Sequence, residues 1–440
     1  MRITTLARVA QEIAGHDSDH MITRGLRDLV LQSANGGDRR FIRYVVADLL
    51  RYLSSSPRRV AGETLVRADL AARWLARAQD ATPDGGLSYG YFPFKLAGGW
   101  RPSYPETTGY TIPTLLEYAR VTERSEYRER ALRMATFVAR CQMKSGALYG
   151  GVVRADGDGV AVAFNTGMAL MGMLAAYRDT GSPLYGDSAR RAAEFLLHDV
   201  GEDGHFQSHG PKVAAHTIKT YTCLCAWPLF EAGREFEDDR YCDAALRVGR
   251  AVLELQRSNG WFEENCLSNR RDVPLLHTIG YTLQGLLELG ISAGDGTFID
   301  AARRGLIGLL PYCDRGFLHA RWFADWQPAA LSSCLTGAAQ VSVVCYRLAE
   351  HTGEVRYLRA GDGVLDYLKG LQLTDSGRSD LPQIVGALGG SFPLVGAYMP
   401  NGYPGWATKF FLDALLCQHA VALPAAAAHQ SSESLARARA

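Results

Sequence analysis

A repeat of about 60 residues constrains the fold of this chain more than any other feature of its sequence. An amphipathic segment, a glycine-rich loop, a more apolar segment and a short turn recur six times. Five of the junctions place an aromatic residue before the next unit: RSEYRERAL, GSPLYGDSA, DDRYCDAAL, DGTFIDAAR and EVRYLRAGD. The predicted units are 67–127, 128–185, 186–241, 242–298, 299–357 and 358–420. Six successive helical hairpins are therefore expected.

The two helical segments of each unit differ in polarity. First segments such as RERALRMATFVARCQ carry an apolar stripe at i, i+3 and i+4, which predicts that one side faces water. Second segments such as NTGMALMGMLAAY and TIGYTLQGLLELG are apolar or small nearly all round and must be covered on most sides. An open solenoid would need a polar capping repeat, which the last unit lacks. The pattern predicts an all-α fold, an (α/α)6 toroid.

Two segments flank the repeat. Residues 1–66 contain the helical patterns MITRGLRDLVLQ and RFIRYVVADLLRYL, which predict an N-terminal helical extension. Residues 67–420 form the predicted toroid domain, and 421–440 are expected to be a disordered tail.

Charge and composition exclude several classes of function. Among 440 residues, 47 Lys and Arg balance 46 Asp and Glu, so no overall field attracts nucleic acid or an anionic membrane. The N-terminus has no apolar signal core, and no stretch approaches about 18 apolar residues. Nine scattered cysteines without a CxxC pair predict reduced thiols. We expect a soluble cytoplasmic protein with no membrane span and no nucleic-acid partner.

Polar residues precede most of the inner helices, whose first residues surround one mouth of a toroid. Aligned on Thr-Gly or Thr-Ile pairs, the preceding residues are Thr107, Asn165, His216, His277, Leu335 and Tyr403. Helix capping would explain Thr107 and Asn165, but His is not a favoured cap, so His216 and His277 indicate a site. Tyr281 lies four residues after His277 on the same helix face, and Tyr221 has a similar depth.

The stretch SYPETTGYTIPTLLEY places Glu106 before an inner helix. A favourable helix dipole explains this carboxylate, and so does chemistry at the mouth, because Thr107 or Thr108 can serve as the cap. Tryptophans are also frequent in the loops that lead there, and flat aromatic faces suit sugars. They are Trp100, Trp261, Trp322, Trp326 and Trp406.

Several motifs together resemble a known superfamily. The motifs are SYPETTGYTIPTLLEYA, FNTGMALMGMLAAY, NGWFEENC, PLLHTIGYTLQGLLELG and CLTGAAQVSVVCYRLAEHTGEVRYL. With the repeat, they resemble the six-hairpin glycosidase-like superfamily over residues 67–420. Within it, the chain is similar to bacterial proteins of exopolysaccharide and capsule biosynthesis, including polysaccharide biosynthesis and prenyltransferase-like proteins. This resemblance implies carbohydrate, but a shared fold does not select a reaction.

Two enzyme chemistries fit these residues. Proton abstraction at C5 of a uronate, as in a C5-epimerase or lyase, needs a base, an acid and donors to the carboxylate. His277, Tyr281, Tyr221, His216 and Asn165 have the required types. Glycoside hydrolysis needs two carboxylates instead. The candidates are Glu106, Glu263, Glu264, Asp325 and Asp380.

A non-catalytic role in glycan binding within a synthesis complex is the third alternative. The expected partner is an acidic oligo- or polysaccharide, with contact to a polysaccharide synthesis machinery. Cys266 and His277 could meet as metal ligands, but they lack zinc spacing, and no phosphate or dinucleotide motif occurs. We expect no metal and no cofactor.

Overall fold

The computed structural model describes residues 20–34, 38–54, 59–94, 99–153, 159–210, 213, 217–267, 273–374 and 380–437. Two helices, α1 (His20–Ala34) and α2 (Arg39–Leu53), precede the repeat. The first three hairpins are α3 (Thr64–Asp80) with α4 (Pro105–Thr122), α5 (Ser125–Cys141) with α6 (Ala163–Thr180), and α7 (Pro183–Asp199) with a 3₁₀ turn (Thr220–Cys225) and α8 (Ala226–Phe236). The other three are α9 (Asp239–Glu254) with α10 (Leu276–Ala293), α11 (Gly296–Ile307) and the short α12 (Leu310–Cys313) with α13 (Leu335–Thr352), and α14 (Val355–Leu371) with α15 (Gly405–Arg437).

Burial confirms which helix of each hairpin lies inside. On α9 the buried residues follow helical spacing along one face, through Tyr241, Ala244, Val248 and Val252. On α10 every residue from Leu276 to Gly290 is buried. The first helix of each pair therefore forms the outer ring, and the second forms the inner barrel.

The last hairpin closes the ring onto the first. Helix α15 packs against both α13 and the outer helix α3. Gly386, in the loop before α15, has a φ of +84°, and a Cβ there would come 2.1 Å from the Leu70 carbonyl oxygen of α3. Only glycine fits this approach. The architecture is thus the predicted (α/α)6 toroid rather than an open superhelix.

Strand structure in the described residues is confined to the loops. The strands are β1 (Gly90–Tyr91), β2 (Ser333–Cys334), β3 (Ser391–Phe392) and β4 (Tyr403–Pro404). Antiparallel pairs form between β1 and β4 and between β2 and β3. Each pair joins the loops of two hairpins next to the starts of the inner helices. These ribbons hold the loops together at that end of the barrel.

Helices α1 and α2 lie over the loop between α3 and α4 and over the long loop between α14 and α15. The Phe41 ring meets Phe94, with centroids 4.9 Å apart, and the Leu394 amide donates to the Asp48 carboxylate at 2.7 Å. The Asn401 side chain donates to the Gly25 carbonyl at 3.0 Å. Burial raises the pKa of Asp48 to about 6. The N-terminal extension thereby fixes a loop that contributes to the candidate site.

The predicted domain limits stay predictions, although the first outer helix begins at Thr64, three residues before the expected unit. Helix α15 continues to Arg437, into the segment 421–440 that the sequence predicts to be a disordered tail. Among the helices that the structure describes, none is long and apolar enough to cross a membrane.

Candidate functional site

Threonine side chains near the start of the inner helices tie the preceding loops to the barrel. The hydroxyl oxygens of Thr108, Thr166 and Thr408 accept hydrogen bonds from loop amides at 2.9–3.0 Å. Thr107 and Asn165 are not caps, because each is the third residue of its helix. The Thr107 hydroxyl lies 3.3 Å from that of Tyr110, and the Asn165 amide donates to the Tyr149 carbonyl at 3.1 Å.

A cavity of about 490 Å³, here called the upper cavity, lies where the inner helices begin. It is lined by Tyr89, Tyr104, Glu106, Gly150, Gly151, Val162, Phe164, Asn165, His209, Gly210, Tyr221, Leu267, His277, Tyr281, Tyr398, Met399 and Trp406. Six of the predicted site residues therefore meet there: Glu106, Asn165, Tyr221, His277, Tyr281 and Trp406.

The lining follows a simple rule of register. The second residues of the five inner α-helices and of the 3₁₀ turn are Glu106, Phe164, Tyr221, His277, Thr336 and Trp406. All of these except Thr336 line the upper cavity. The alignment of the units on their Thr-Gly or Thr-Ile pairs is therefore shifted relative to the helix starts in some units. In the last unit this shift selected Tyr403 instead of Trp406.

Residues one turn further along the same helices form the floor of the cavity. Tyr110, Tyr281 and Phe410 follow Glu106, His277 and Trp406 by four positions. The Phe410 ring centroid lies 5.6 Å from that of Tyr110 and 5.8 Å from that of Tyr281. These three rings close the barrel axis beneath the cavity.

Glu106 is the only carboxyl group among the described residues that line the upper cavity. It accepts a hydrogen bond from the Tyr104 hydroxyl at 2.5 Å and has no basic partner in the described residues. Burial raises the pKa of Glu106 from 4.5 to about 7, although the Tyr104 hydrogen bond lowers it. The group can therefore hold or release a proton near neutral pH.

His277 is 5% exposed and contacts the aromatic floor. Its ring centroid lies 4.2 Å from that of Tyr281 and 5.6 Å from that of Tyr398. Its Nδ1 lies 2.6 Å from Oε1 of Gln340. Burial lowers the pKa of His277 to about 4, so the imidazole is neutral at pH 7.

The order of the inner helices places these two groups on opposite walls. Helix α4 is the first of six and α10 is the fourth, so Glu106 and His277 face each other across the barrel axis. Tyr221, in the third hairpin, and Trp406, in the sixth, are opposed in the same way. A ring bound between these walls would have a titratable group on each face.

Four of the predicted tryptophans do not line the upper cavity but pack the loops onto the barrel. The ring centroids of Trp261 and Trp326 lie 5.2 Å apart, and Trp322 is fully buried. Trp100 packs against Trp74, with centroids 5.6 Å apart. Tyr403 also lies elsewhere, buried under α2 with its centroid 6.3 Å from that of Phe41. In the structure these positions provide aromatic surface that packs the loops.

The other predicted carboxylates also lie outside the lining of the cavity. Glu263 pairs with Arg257, and the Asp325 side chain accepts from the Gln327 amide at 3.0 Å. At Glu264 and Asp380 the backbone carbonyls accept hydrogen bonds from the Thr220 amide and the Arg40 side chain. His216 lies outside the described residues.

Several lining residues were not predicted from the sequence. Tyr104 stands two residues before Glu106, and Tyr398 and Met399 come from the loop before α15. The Tyr398 hydroxyl accepts a hydrogen bond from the Trp406 indole at 2.9 Å. The second-residue rule would have found Phe164, whereas nothing in the sequence marks Tyr398. In the part of the chain that the structure describes, no three metal-ligating side chains come together.

A second cavity of about 280 Å³, the lower cavity, lies at the opposite end of the inner helices. Its polar lining is Thr114, Glu117, Gln284, Glu288, Arg347, Lys409 and Asp413. The Lys409 ammonium lies 4.1 Å from the centroid of Phe410 and 5.0 Å from that of Tyr110. The aromatic floor of the upper cavity thus separates the two cavities.

Comparison with known proteins supports the architecture. No family model and no curated protein sequence matches the chain. Among solved structures, an unsaturated glucuronyl hydrolase specific for heparin aligns with a TM-score of 0.64 and 14% identity, covering 82% of this chain and 98% of that one. D-mannose isomerase aligns with a TM-score of 0.63 and 13% identity, covering 82% of this chain and 98% of that one.

Cellobiose 2-epimerase from Bacillus thermoamylovorans B4167 aligns with a TM-score of 0.61 and 13% identity, covering 85% of this chain and 99% of that one. At these identities the comparisons establish the fold, and the chain is an (α/α)6 toroid of the six-hairpin type.

Proposed function

We propose that this chain is a carbohydrate-active enzyme that moves a proton at C5 of a uronate residue, in the manner of a C5-epimerase or a lyase. The observation that carries the proposal is the opposition of Glu106 and His277 in one aromatic cavity. One is a carboxyl group with a pKa of about 7 and the other a neutral imidazole. An acid and a base on opposite walls are what proton transfer across a sugar ring requires.

His277 acts as the base in this scheme. The C5–H bond breaks, the proton moves to the imidazole, and the electron pair passes into the adjacent carboxylate. A bound uronate anion would raise the pKa of His277 above its value of about 4, because a nearby negative charge favours the imidazolium. Binding therefore makes the histidine a stronger base.

Glu106 acts as the acid in its protonated form. For epimerisation it returns a proton to C5 from the opposite face. For elimination it protonates the departing oxygen as the C4–O4 bond breaks and a C4–C5 double bond forms. Hydrogen-bond donors such as Asn165, Tyr221 and Tyr281, together with the first turns of the inner helices, would stabilise the charge that develops at the carboxylate.

The aromatic walls support a sugar as the ligand. The rings of Trp406, Tyr89, Tyr221 and Phe164 line the cavity, and their flat faces match the apolar faces of pyranose rings. Structural neighbours named as an epimerase, an isomerase and a glucuronyl hydrolase are consistent with carbohydrate chemistry on this fold. A place in exopolysaccharide or capsule synthesis, contact with that machinery and a cytoplasmic location stay predictions from the sequence.

Hydrolysis is a second candidate, because glucuronyl hydrolases are among the structural neighbours. Two-carboxylate hydrolysis needs a partner for Glu106, and no other described residue in the lining supplies one. A hydrolase would therefore use Glu106 alone as the acid.

The deciding experiment incubates the full chain in deuterated water with alginate, polygalacturonate, hyaluronan and heparosan. We expect deuterium at C5 or an unsaturated product that absorbs in the ultraviolet. New reducing ends without either signal would replace this proposal by hydrolysis. Binding without any product would favour the non-catalytic role, and the His277→Ala variant shows whether a signal belongs to this site.

A further inference from the structure

Gln340, which nothing in the sequence singled out, lies against the proposed base. It is the sixth residue of α13, one turn after Thr336, and is fully buried. In register it belongs with Tyr110, Tyr281 and Phe410 in the layer beneath the cavity. Gly280 on α10 makes room for it, because a Cβ there would come 2.9 Å from the Gln340 Cβ and Oε1. The two inner helices thus bring an amide beside an imidazole.

In the orientation that the structure gives the Gln340 amide, its contact with His277 determines which nitrogen of the imidazole holds the proton. Gln340 Oε1 lies 2.6 Å from Nδ1, and a carbonyl oxygen can only accept a hydrogen bond. A neutral imidazole has one N–H, so the proton must be on Nδ1. Nε2 then keeps its lone pair. His277 lines the upper cavity and its Nδ1 edge is occupied by the buried amide, so we expect Nε2 to be the nitrogen that meets a ligand.

We propose that Gln340 is a positioning residue that holds His277 in the Nδ1–H tautomer, so that Nε2 accepts a proton from substrate. This inference rests on the proposed function for its catalytic meaning, but the tautomer itself is independent of any substrate. If the Gln340 amide were rotated so that its NH₂ group faced the ring, it would donate to Nδ1, and the histidine proton would be on Nε2. Nε2 would then have no lone pair with which to accept a proton. The orientation of one amide therefore decides whether His277 takes up a proton or donates one.

The test measures the imidazole ¹⁵N shifts of the full chain labelled at histidine, with the His277 signals assigned from a His277→Gln variant. We expect a protonated Nδ1 and an unprotonated Nε2 in the wild type. In Gln340→Leu, which offers no acceptor, the Nε2–H form should gain population. In Gln340→Glu an acceptor oxygen remains, and the original tautomer should persist.

Turnover is measured on the same variants by deuterium exchange at C5. Gln340→Leu should lose about 10²-fold in kcat with KM little changed, since a histidine in the wrong tautomer cannot act as the base. Gln340→Glu should recover part of that loss. The matched control is Gln284→Leu, another buried glutamine of an inner helix, which lines the lower cavity and should change neither the tautomer nor kcat.

Two results would overturn the inference: an Nε2–H tautomer in the wild type, or a Gln340→Leu protein that keeps both the wild-type tautomer and kcat. A stability loss alone, with the ¹⁵N shifts unchanged, would assign Gln340 a packing role and so also overturn it. If the tautomer responds as expected but no uronate polymer reacts, the positioning role stands and the proposed reaction is wrong.

Discussion

At the lower end of the barrel every lining carboxylate has a basic partner. Asp413 pairs with Lys409 at 2.6 Å, Glu288 with Arg347 at 2.7 Å and Glu117 with Arg120 at 2.6 Å. At the upper end Glu106 is enclosed by aromatic rings, and among the described residues its carboxylate has only the Tyr104 hydroxyl as a side-chain partner. Burial withdraws Glu106 at the upper end and Glu288 and Asp413 at the lower end from bulk water, but only the lower end supplies compensating charge.

The difference distinguishes carboxylates that stabilise the fold as ion pairs from a carboxyl group that can exchange its proton near neutral pH. A buried ion pair keeps both groups ionised and tolerates loss of neither partner. A buried carboxyl without a cation keeps its proton up to higher pH, as the pKa of about 7 for Glu106 shows. We therefore expect substitutions at the upper end to affect rate and those at the lower end to affect stability.

The largest expected effect comes from Glu106→Gln. Loss of the titrating proton should lower kcat by about 10²–10⁴-fold while the protein stays folded. Glu117→Gln is the matched control, since both residues lie on α4 at opposite ends of the barrel. It should retain nearly full turnover in the C5 exchange assay. Equal losses in the two variants would contradict the distinction between the two ends.

Asp413→Asn should lower the stability of the protein and leave its turnover unchanged, the reverse of Glu106→Gln. It leaves Lys409, which is 5% exposed, without its carboxylate, at a cost of about 3–5 kcal/mol in the free energy of unfolding. Urea denaturation measures this loss, and turnover per folded molecule should be retained. Adding Lys409→Met should restore much of the stability. A cost below about 1 kcal/mol would show that the pair is solvated and not structural.

The pH dependence of stability gives a third contrast. The pKa of Glu106 is 4.5 unfolded and about 7 folded, so the folded state holds the extra proton between these values. Stability from this group is complete at low pH and is lost as pH rises to about 7, by about 3 kcal/mol at full strength. His277 acts in the opposite direction, because its pKa is lowered. The measurement is therefore the free energy of unfolding of the wild type minus that of Glu106→Gln, which should fall as pH rises from 5 to 8.

Much of the fold, and the positions of two residues of the site, could be predicted from the sequence, because the spacing of apolar residues indicates which side of each helix is buried. The six hairpins, their inner and outer helices and the positions of Glu106 and His277 near inner-helix starts all follow from local patterns. An aromatic in a glycine-rich loop gives no such information: Trp261 and Trp406 have similar local sequences, yet one packs against Trp326 and the other lines the cavity.

Contacts between units are the part that local patterns do not reveal. Gln340 sits in the ordinary helical stretch LTGAAQ, and its importance comes only from an imidazole 63 positions away in the chain. Among the lower carboxylates, Glu288 takes its partner Arg347 from the neighbouring inner helix, whereas Asp413 and Glu117 pair within their own helices. Register between neighbouring helices, set by close approaches such as Gly280 against Gln340, determines the contacts that join two helices.

The smallest expected effect tests the hydrogen bond from the Tyr104 hydroxyl to the Glu106 carboxylate. Removing the hydroxyl in Tyr104→Phe should raise the pKa of Glu106, because that bond stabilises the carboxylate. Hydrogen bonds to charged groups correspond to about one pKa unit. If Glu106 is the acid, kcat/KM falls as pH rises through about 7, and the variant should stay active to higher pH.

Tyr89→Phe is the control for this change. It removes a cavity hydroxyl that donates to the Met399 sulfur at 3.7 Å and not to Glu106. The midpoint of the fall in kcat/KM with pH should therefore not move. The other phenols nearest Glu106 have raised pKa values and stay neutral over this range, so they add no charge of their own. A midpoint that moves down in Tyr104→Phe would mean that the hydroxyl favours the protonated carboxyl. A rate that rises through pH 7 would make Glu106 the base and His277 its partner, reversing the roles while keeping the contrast between the two ends.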